Sequence, residues 1–140
     1  MDIVHTRLTE AEVRQLLERG NSDFSPSLSE DFLEAYAKKL SAYADFLILR
    51  DATAVYGCLA YYLNREGAFA YVSHFWVSSH CQRQGYGRRL LRTLVSQVKD
   101  DYREIRLEVV KGTPATAFYA KMGFSVIEDR GEKSLLMLSL

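Results

Sequence analysis

At 140 residues the chain is long enough for one domain with a sizeable core, and 48% hydrophobic with 26% charged residues is an ordinary globular balance. Lys and Arg number 18 and so do Asp and Glu, so the formal net charge is zero, which argues against a chain built mainly to hold nucleic acid and makes any anion site local. The apolar runs are far shorter than a membrane span, and "MDIVHTRLTE" has no signal-peptide pattern. Cys58 and Cys81 lie outside any CxxC, which speaks against a disulfide framework or a zinc site and for a reduced, cytoplasmic compartment.

In chain order, "DIVHTR" reads as a short strand. "TEAE" at 9–12 is a capping box, with Thr9 accepting from the amide of Glu12. Leu8, Val13, Leu16 and Leu17 then give helical periodicity, and Gly20 fits a C-terminal stop. "NSDFSPS" is loop-like. A second helix follows from about Ser29, with Phe32, Tyr36 and Leu40 expected on one stripe. Residues 45–77 look like three consecutive strands, with "RDAT" and "NREG" as the turns. The next helix starts near Gly85 and buries Leu90, Leu91, Leu94, Val95 and Val98. "IRLEVV" is a strand. "TPATAFYAKMG" is a helix with Thr113 as N-cap, Pro114 in its first turn and Gly123 at its stop. "FSVIED" and "KSLLMLSL" are strands around the "RGE" turn. The pattern predicts a mixed sheet with helices on both faces, in one domain spanning 1–140.

The stretch "VSSHCQRQGYGRRLLRTLV", residues 77–95, puts a glycine pair between an apolar strand and a helix. Helix starts carry unpaired N–H groups and a partial positive charge, so a phosphate there is bound by the backbone itself. Glycine at 85 and 87 removes the Cβ that would block approach, and Arg83, Arg88 and Arg89 add charge nearby. Read on its own, the same stretch also fits a plain helix start with solvated arginines. GxxxxGK[ST] is absent. GxGxxG fails at its third glycine, where Leu90 stands, although Glu108 lies at about the distance the dinucleotide fingerprint wants.

The run Gln82, Arg83, Gln84, Gly85, Tyr86, Gly87 resembles the acetyl-CoA loop of the GNAT acetyltransferase superfamily, Q/R-x-x-G-x-G/A. "ATAFYAKMGF", residues 115–124, resembles that family's second signature, and the element order matches as well. The strong part of the resemblance covers roughly residues 54–128, while residues 1–50 match only as strand, helix, helix. It implies an α/β (α+β) fold with a mostly antiparallel seven-stranded sheet, acetyl-CoA as co-substrate, and a small-molecule or protein amine as acceptor. The coenzyme's pyrophosphate would sit on the amides of Arg83, Gln84, Gly85, Tyr86, Gly87 and Arg88, beside Gln82. Phe75 and Val77 would offer backbone groups to the pantetheine arm. Tyr119 falls on the family's tyrosine near the thioester sulfur, as an acid or a hydrogen-bond donor to the departing thiolate; it also fits a core position. Where the family often has asparagine, three residues before Ala115, this chain has Gly112, which keeps only a backbone contact.

The general base is open. Relatives often place an acid around positions 71–74, which here are Tyr71, Val72, Ser73 and His74. His74 is the titratable substitute, or else a satisfied strand histidine. Glu108 and a water relay are the alternatives, while His5 and His80 carry no signal. Tyr36, Tyr61, Tyr62, Asn64 and Ser73 are candidate acceptor contacts, each with a plain core or surface role as the alternative, and Trp76 reads as packing. Direct transfer to an amine is the leading expectation. A non-catalytic acyl-CoA-binding module on the same scaffold and a dinucleotide-binding protein are the competing ones. The apolar C-terminal "SLLMLSL" fits either a homodimer contact or an internal strand.

Overall fold

The computed structural model describes residues 1–24 and 27–140; Ser25 and Pro26, within the expected "NSDFSPS" loop, lie outside the described residues. The elements are β1 (Asp2–Thr6), α1 (Glu10–Gly20), α2 (Glu30–Tyr43), β2 (Asp45–Arg50), β3 (Val55–Asn64), β4 (Phe69–Val77), α3 (Tyr86–Val98), β5 (Glu104–Val110), α4 (Pro114–Lys121), β6 (Ser125–Arg130) and β7 (Lys133–Ser139). Single 3-10 turns at Asn21–Asp23 and Ser79–Cys81 interrupt the expected loops. The strands run β1-β2-β3-β4-β5-β7-β6 in one sheet. By backbone proximity the chain divides into two compact units, Met1–Tyr61 with His74–Leu91, and Tyr62–Ser73 with Arg92–Leu140.

In the first unit, β1 and β2 pair antiparallel from Asp2↔Arg50 to Thr6↔Phe46. β2 and β3 do so from Asp45↔Tyr61, with a bulge at Leu49/Arg50 before the turn. α1 starts where the sequence places it, because both halves of the capping box form. Glu12 N donates to Thr9 Oγ1 at 3.2 Å and Thr9 N donates to Glu12 Oε1 at 3.0 Å. Arg14 ties the helices together, donating to Glu18 along α1 and to Glu30 at the start of α2. The inward stripe of α2 is Leu33, Ala37 and Leu40, not the expected Phe32, Tyr36 and Leu40. Ser29 caps the helix by accepting from Phe32 N, and the buried face is the one that carries the aliphatic Leu33, Ala37 and Leu40. Phe32 is left 49% exposed, its ring against Tyr36 at 5.2 Å.

Gly20 ends α1 as expected, but for a different reason. Its backbone is right-handed (φ −91°), not the left-handed conformation of a glycine stop. An added Cβ would lie 2.7 Å from the indole carbons of Trp76. The position is small because a buried tryptophan packs directly onto the helix backbone.

In the second unit, β4 and β5 pair parallel from Phe69↔Glu104 to Val72↔Leu107. β7 pairs antiparallel with both β5 and β6, so "SLLMLSL" is an internal strand. β5 alternates with period two: Ile105, Leu107 and Val109 are buried, while Glu104, Arg106 and Glu108 hold the other face. There the Arg106 guanidinium lies 4.3 Å from the Phe69 ring centroid and bonds Glu104 at 2.8 Å. α4 begins at Pro114, and Gly123, just past its end, takes the left-handed backbone (φ +101°). α3 buries Leu90, Leu91, Leu94 and Val98 as its periodicity requires, with Val95 half-buried.

Gly20→Ala tests the Trp76 contact. Alanine gains up to about 1 kcal/mol of helix propensity, but overpacking a buried ring costs roughly 1–3 kcal/mol. A net loss is therefore expected in urea unfolding, and an equal or higher stability would contradict the packing described.

Candidate functional site

The loop after β4 is fixed to its strand residue by residue. Ser78 N donates to Tyr56 O at 2.7 Å, and Cys81 N to Ser78 O at 2.8 Å. The Gln82 side chain turns back, its Nε2 donating to Val77 O at 3.0 Å. Two left-handed residues follow, Arg83 at φ +64° and Gly85 at φ +83°. For a non-glycine residue this backbone is costly. An added Cβ at Gly85 would meet nothing within 4 Å, so the glycine is not there to relieve crowding inside the protein. It allows the backbone turn and leaves one face of the chain open.

α3 then begins, and Arg89 N donates to Gly85 O at 3.0 Å. The amides of Tyr86, Gly87 and Arg88 precede that bond and have no carbonyl four residues back within the helix. They stand where the helix carries its partial positive charge. Gln82, Arg83, Gln84, Gly85 and Arg88 are exposed, and Tyr86 and Gly87 are half-buried. The arrangement is chemically that of an anion cradle. The sequence-predicted loop residues are therefore brought together, with one revision. The Gln82 amide group and one lone pair of the Val77 carbonyl are used on each other, so Gln82 acts within the loop.

His74 lies on β4 in the same unit and is buried. Its ring is 5.3 Å from Phe24 and 5.9 Å from Tyr36, centroid to centroid. Burial pushes its pKa down to about 4, because an imidazolium loses hydration there. Tyr36 thus belongs to an aromatic group around His74. Phe75 and Val77 are half-buried on the opposite face of β4.

The second unit gathers a different set. The Tyr62 pKa is raised by burial, partly offset by Ser73. Tyr71 Oη donates to Glu108 Oε1 at 3.4 Å, and Arg130 Nη1 donates to Glu108 Oε2 at 3.2 Å. Burial first, and then the Glu108 charge, raise the Tyr71 pKa. Sequence reasoning named Glu108 and Ser73 but missed that Tyr71 and Arg130 hold Glu108 from two sides. The signal was the parallel strand pair, which sets Tyr71 opposite Arg106, beside Glu108. Asn64 is not part of this set. Its Oδ1 accepts from Gly67 N at 2.8 Å and closes the "NREG" turn.

Tyr119 lies on α4 between the rings of Phe118 (5.3 Å) and Phe124 (5.5 Å). Burial pushes its phenol up to about 12. One turn earlier, Thr116 Oγ1 is buried with no hydrogen-bond partner, which sequence reasoning also missed. Gly112 has φ +75°, a conformation that glycine and asparagine both tolerate. The glycine standing where relatives have asparagine therefore fits the backbone. Among the described residues, no group of three or more His, Cys, Asp or Glu is placed to hold a metal ion, and no helix is long and apolar enough to cross a membrane.

Residues 9–138 match the family model described as the acetyltransferase (GNAT) domain. No curated protein sequence is significantly similar. Several solved structures share the fold. A PaiA N-acetyltransferase from Thermoplasma acidophilum, in complex with coenzyme A, superposes with a TM-score of 0.77 at 17% identity, covering 100% of both chains. An acetyltransferase from Thermus thermophilus gives 0.82 at 18% identity, over 100% of this chain and 98% of that one. A ribosomal-protein-alanine N-acetyltransferase from Escherichia coli gives 0.76 at 18% identity, over 99% and 94%. With the family model spanning nearly the whole chain, this protein belongs to the GNAT acetyltransferase family.

Proposed function

We propose that the chain acts as a single domain that transfers acetyl from acetyl-CoA to an amine, on a small molecule or a protein, by direct attack in a ternary complex. The observation that carries this reading is the loop at 82–88. Left-handed Arg83 and Gly85 lead into a helix start whose amides at 86–88 have no intrahelical partner, within a matched GNAT domain. A pyrophosphate suits those amides. The two cysteines are free and buried, in keeping with a reducing compartment such as the cytoplasm.

In the reaction the neutral amine nitrogen attacks the thioester carbonyl, the C–N bond forms and the C–S bond breaks; the proton the nitrogen sheds as the amide forms passes through water to the sulfur, and coenzyme A leaves as its thiol. The amine must first lose a proton, which at pH 7 costs about 4.6 kcal/mol from a pKa near 10.4. His74 is poorly suited to take it. Its imidazole is buried and enclosed by Phe24 and Tyr36, so the imidazolium that proton uptake would create is disfavoured by lost hydration. We assign the proton to Glu108, directly or through water. Its carboxylate is oriented by Tyr71 and Arg130. Tyr119 stays a phenol. With its pKa near 12, full proton transfer to a thiolate of pKa about 8.5 is uphill by about 5 kcal/mol, so its role is a hydrogen bond to the developing thiolate.

Three outcomes are expected. Acetyl-CoA or coenzyme A at about 100 times its dissociation constant stabilises the fold by roughly 2.7 kcal/mol in a thermal melt, and NAD does not. No shift with either coenzyme would overturn the reading. Tyr119→Phe and Glu108→Gln each lower thiol release from acetyl-CoA with an amine acceptor at least tenfold while coenzyme A affinity holds. Undiminished turnover would remove that residue's role. For His74, the unfolded state binds the extra proton between pH 6.5 and 4, so stability is present above that window and is lost as pH falls through it. Urea unfolding at pH 7 and 4.5 should show a loss about 2–3 kcal/mol smaller in His74→Gln than in the wild type. Equal losses would contradict the buried neutral imidazole.

A further inference from the structure

Trp76 is the single tryptophan of the chain and is 5% exposed. A buried indole N–H needs an acceptor. Here Trp76 Nε1 donates to Asp23 Oδ2 at 2.8 Å, and the same oxygen accepts from Ser79 N at 3.3 Å. One carboxylate therefore joins the turn after α1 to the end of β4 and to the first residue of the 3-10 turn before Gln82. The turn that carries Asp23 is itself held. Asn21 clips it, with Leu28 N donating to Asn21 Oδ1 at 2.7 Å and Asn21 Nδ2 donating to Leu28 O at 3.1 Å. Phe24 packs on His74, and Trp76 rests on Gly20. The Asp23 pKa is lowered, first by the indole bond, so the carboxylate is ionised at neutral pH.

We infer that Asp23 is a positioning residue for coenzyme binding, setting the cofactor loop through Trp76 and the Ser79 amide without touching the ligand. The inference rests on the proposed coenzyme A site. Backbone amides bind an anion only if they are held in place beforehand; otherwise binding bears the ordering cost. From Ser79 to Gly85 the chain passes through left-handed Arg83, a conformation it does not prefer. Fixing Ser79 at one end, with Gln82 tied to Val77 and α3 anchored by Leu90 and Leu91, determines where the amides at 85–88 stand.

The test is calorimetric titration with coenzyme A, alongside hydrogen exchange of the amides at 79–88 in the ligand-free protein. In Asp23→Ala, affinity should fall about tenfold and exchange should rise at 79–85. Asp23→Asn keeps a carbonyl acceptor for both donors and should stay within about twofold of the wild type. Trp76→Phe loses the N–H but keeps the Asp23–Ser79 bond, and should fall between the wild type and Asp23→Ala; the double variant should be no worse than Asp23→Ala. A purely structural role predicts a lower melting temperature with unchanged affinity, and that result in folded Asp23→Ala protein would overturn the inference alone. Failure of the wild type to bind coenzyme A would overturn the proposed function and the inference with it.

Discussion

The first amides of a helix have no carbonyl to bond within it, and α3 begins on a loop that gives them an open approach. The first intrahelical bond from this start is Arg89 N to Gly85 O, so the amides at 86–88 precede the ladder. Gly85 takes φ +83° with empty space where a Cβ would be, and Arg83 takes a left-handed conformation that costs a non-glycine residue free energy. This constraint gives the other features of the first unit their purpose. Buried leucines on α3 anchor the helix, Gln82 closes the loop onto β4, and Asp23 joins Trp76 and Ser79 to the turn after α1. The loop is preorganised by contacts that leave its outward face open.

Electrostatics divides the titratable groups into two kinds. His74 and Tyr119 are both held neutral by burial, one with its pKa moved down to about 4 and the other up to about 12. A neutral phenol can still donate a hydrogen bond, so burial suits Tyr119 to stabilising a thiolate. Burial among Phe24 and Tyr36 disfavours the charged imidazolium, so the His74 site is poorly made to receive a proton. Glu108 is the opposite case, a half-buried carboxylate bonded by Tyr71 and Arg130. The tyrosine hydroxyl holds one of its oxygens and the guanidinium the other.

Much of this was legible in the sequence, for identifiable reasons. The capping box at Thr9, the leucine face of α3, Pro114 at the start of α4 and Gly123 past its end are local signals, and each element begins or ends accordingly. The glycine spacing after β4 marked the loop. What was not legible depends on tertiary neighbours. The inward stripe of α2 is rotated from Phe32 to Leu33, because which face of a helix turns inward depends on what it packs against. Gly20 ends α1 as expected, but its smallness answers to the Trp76 ring. Asn64, a candidate acceptor contact with a plain surface role as its alternative, has its side-chain oxygen closing a turn. The Asp23–Trp76 and Tyr71–Glu108 bonds span 53 and 37 residues of sequence, and no local pattern predicts such pairs.

The central claim is that the backbone of residues 82–88 holds the coenzyme's pyrophosphate. Backbone amide NMR shifts during a titration with coenzyme A test it most directly. The account predicts that the amides of Gly85, Tyr86, Gly87 and Arg88 move downfield and saturate together, and that a coenzyme fragment lacking the pyrophosphate leaves them in place. Saturable binding with those four amides unmoved would contradict it.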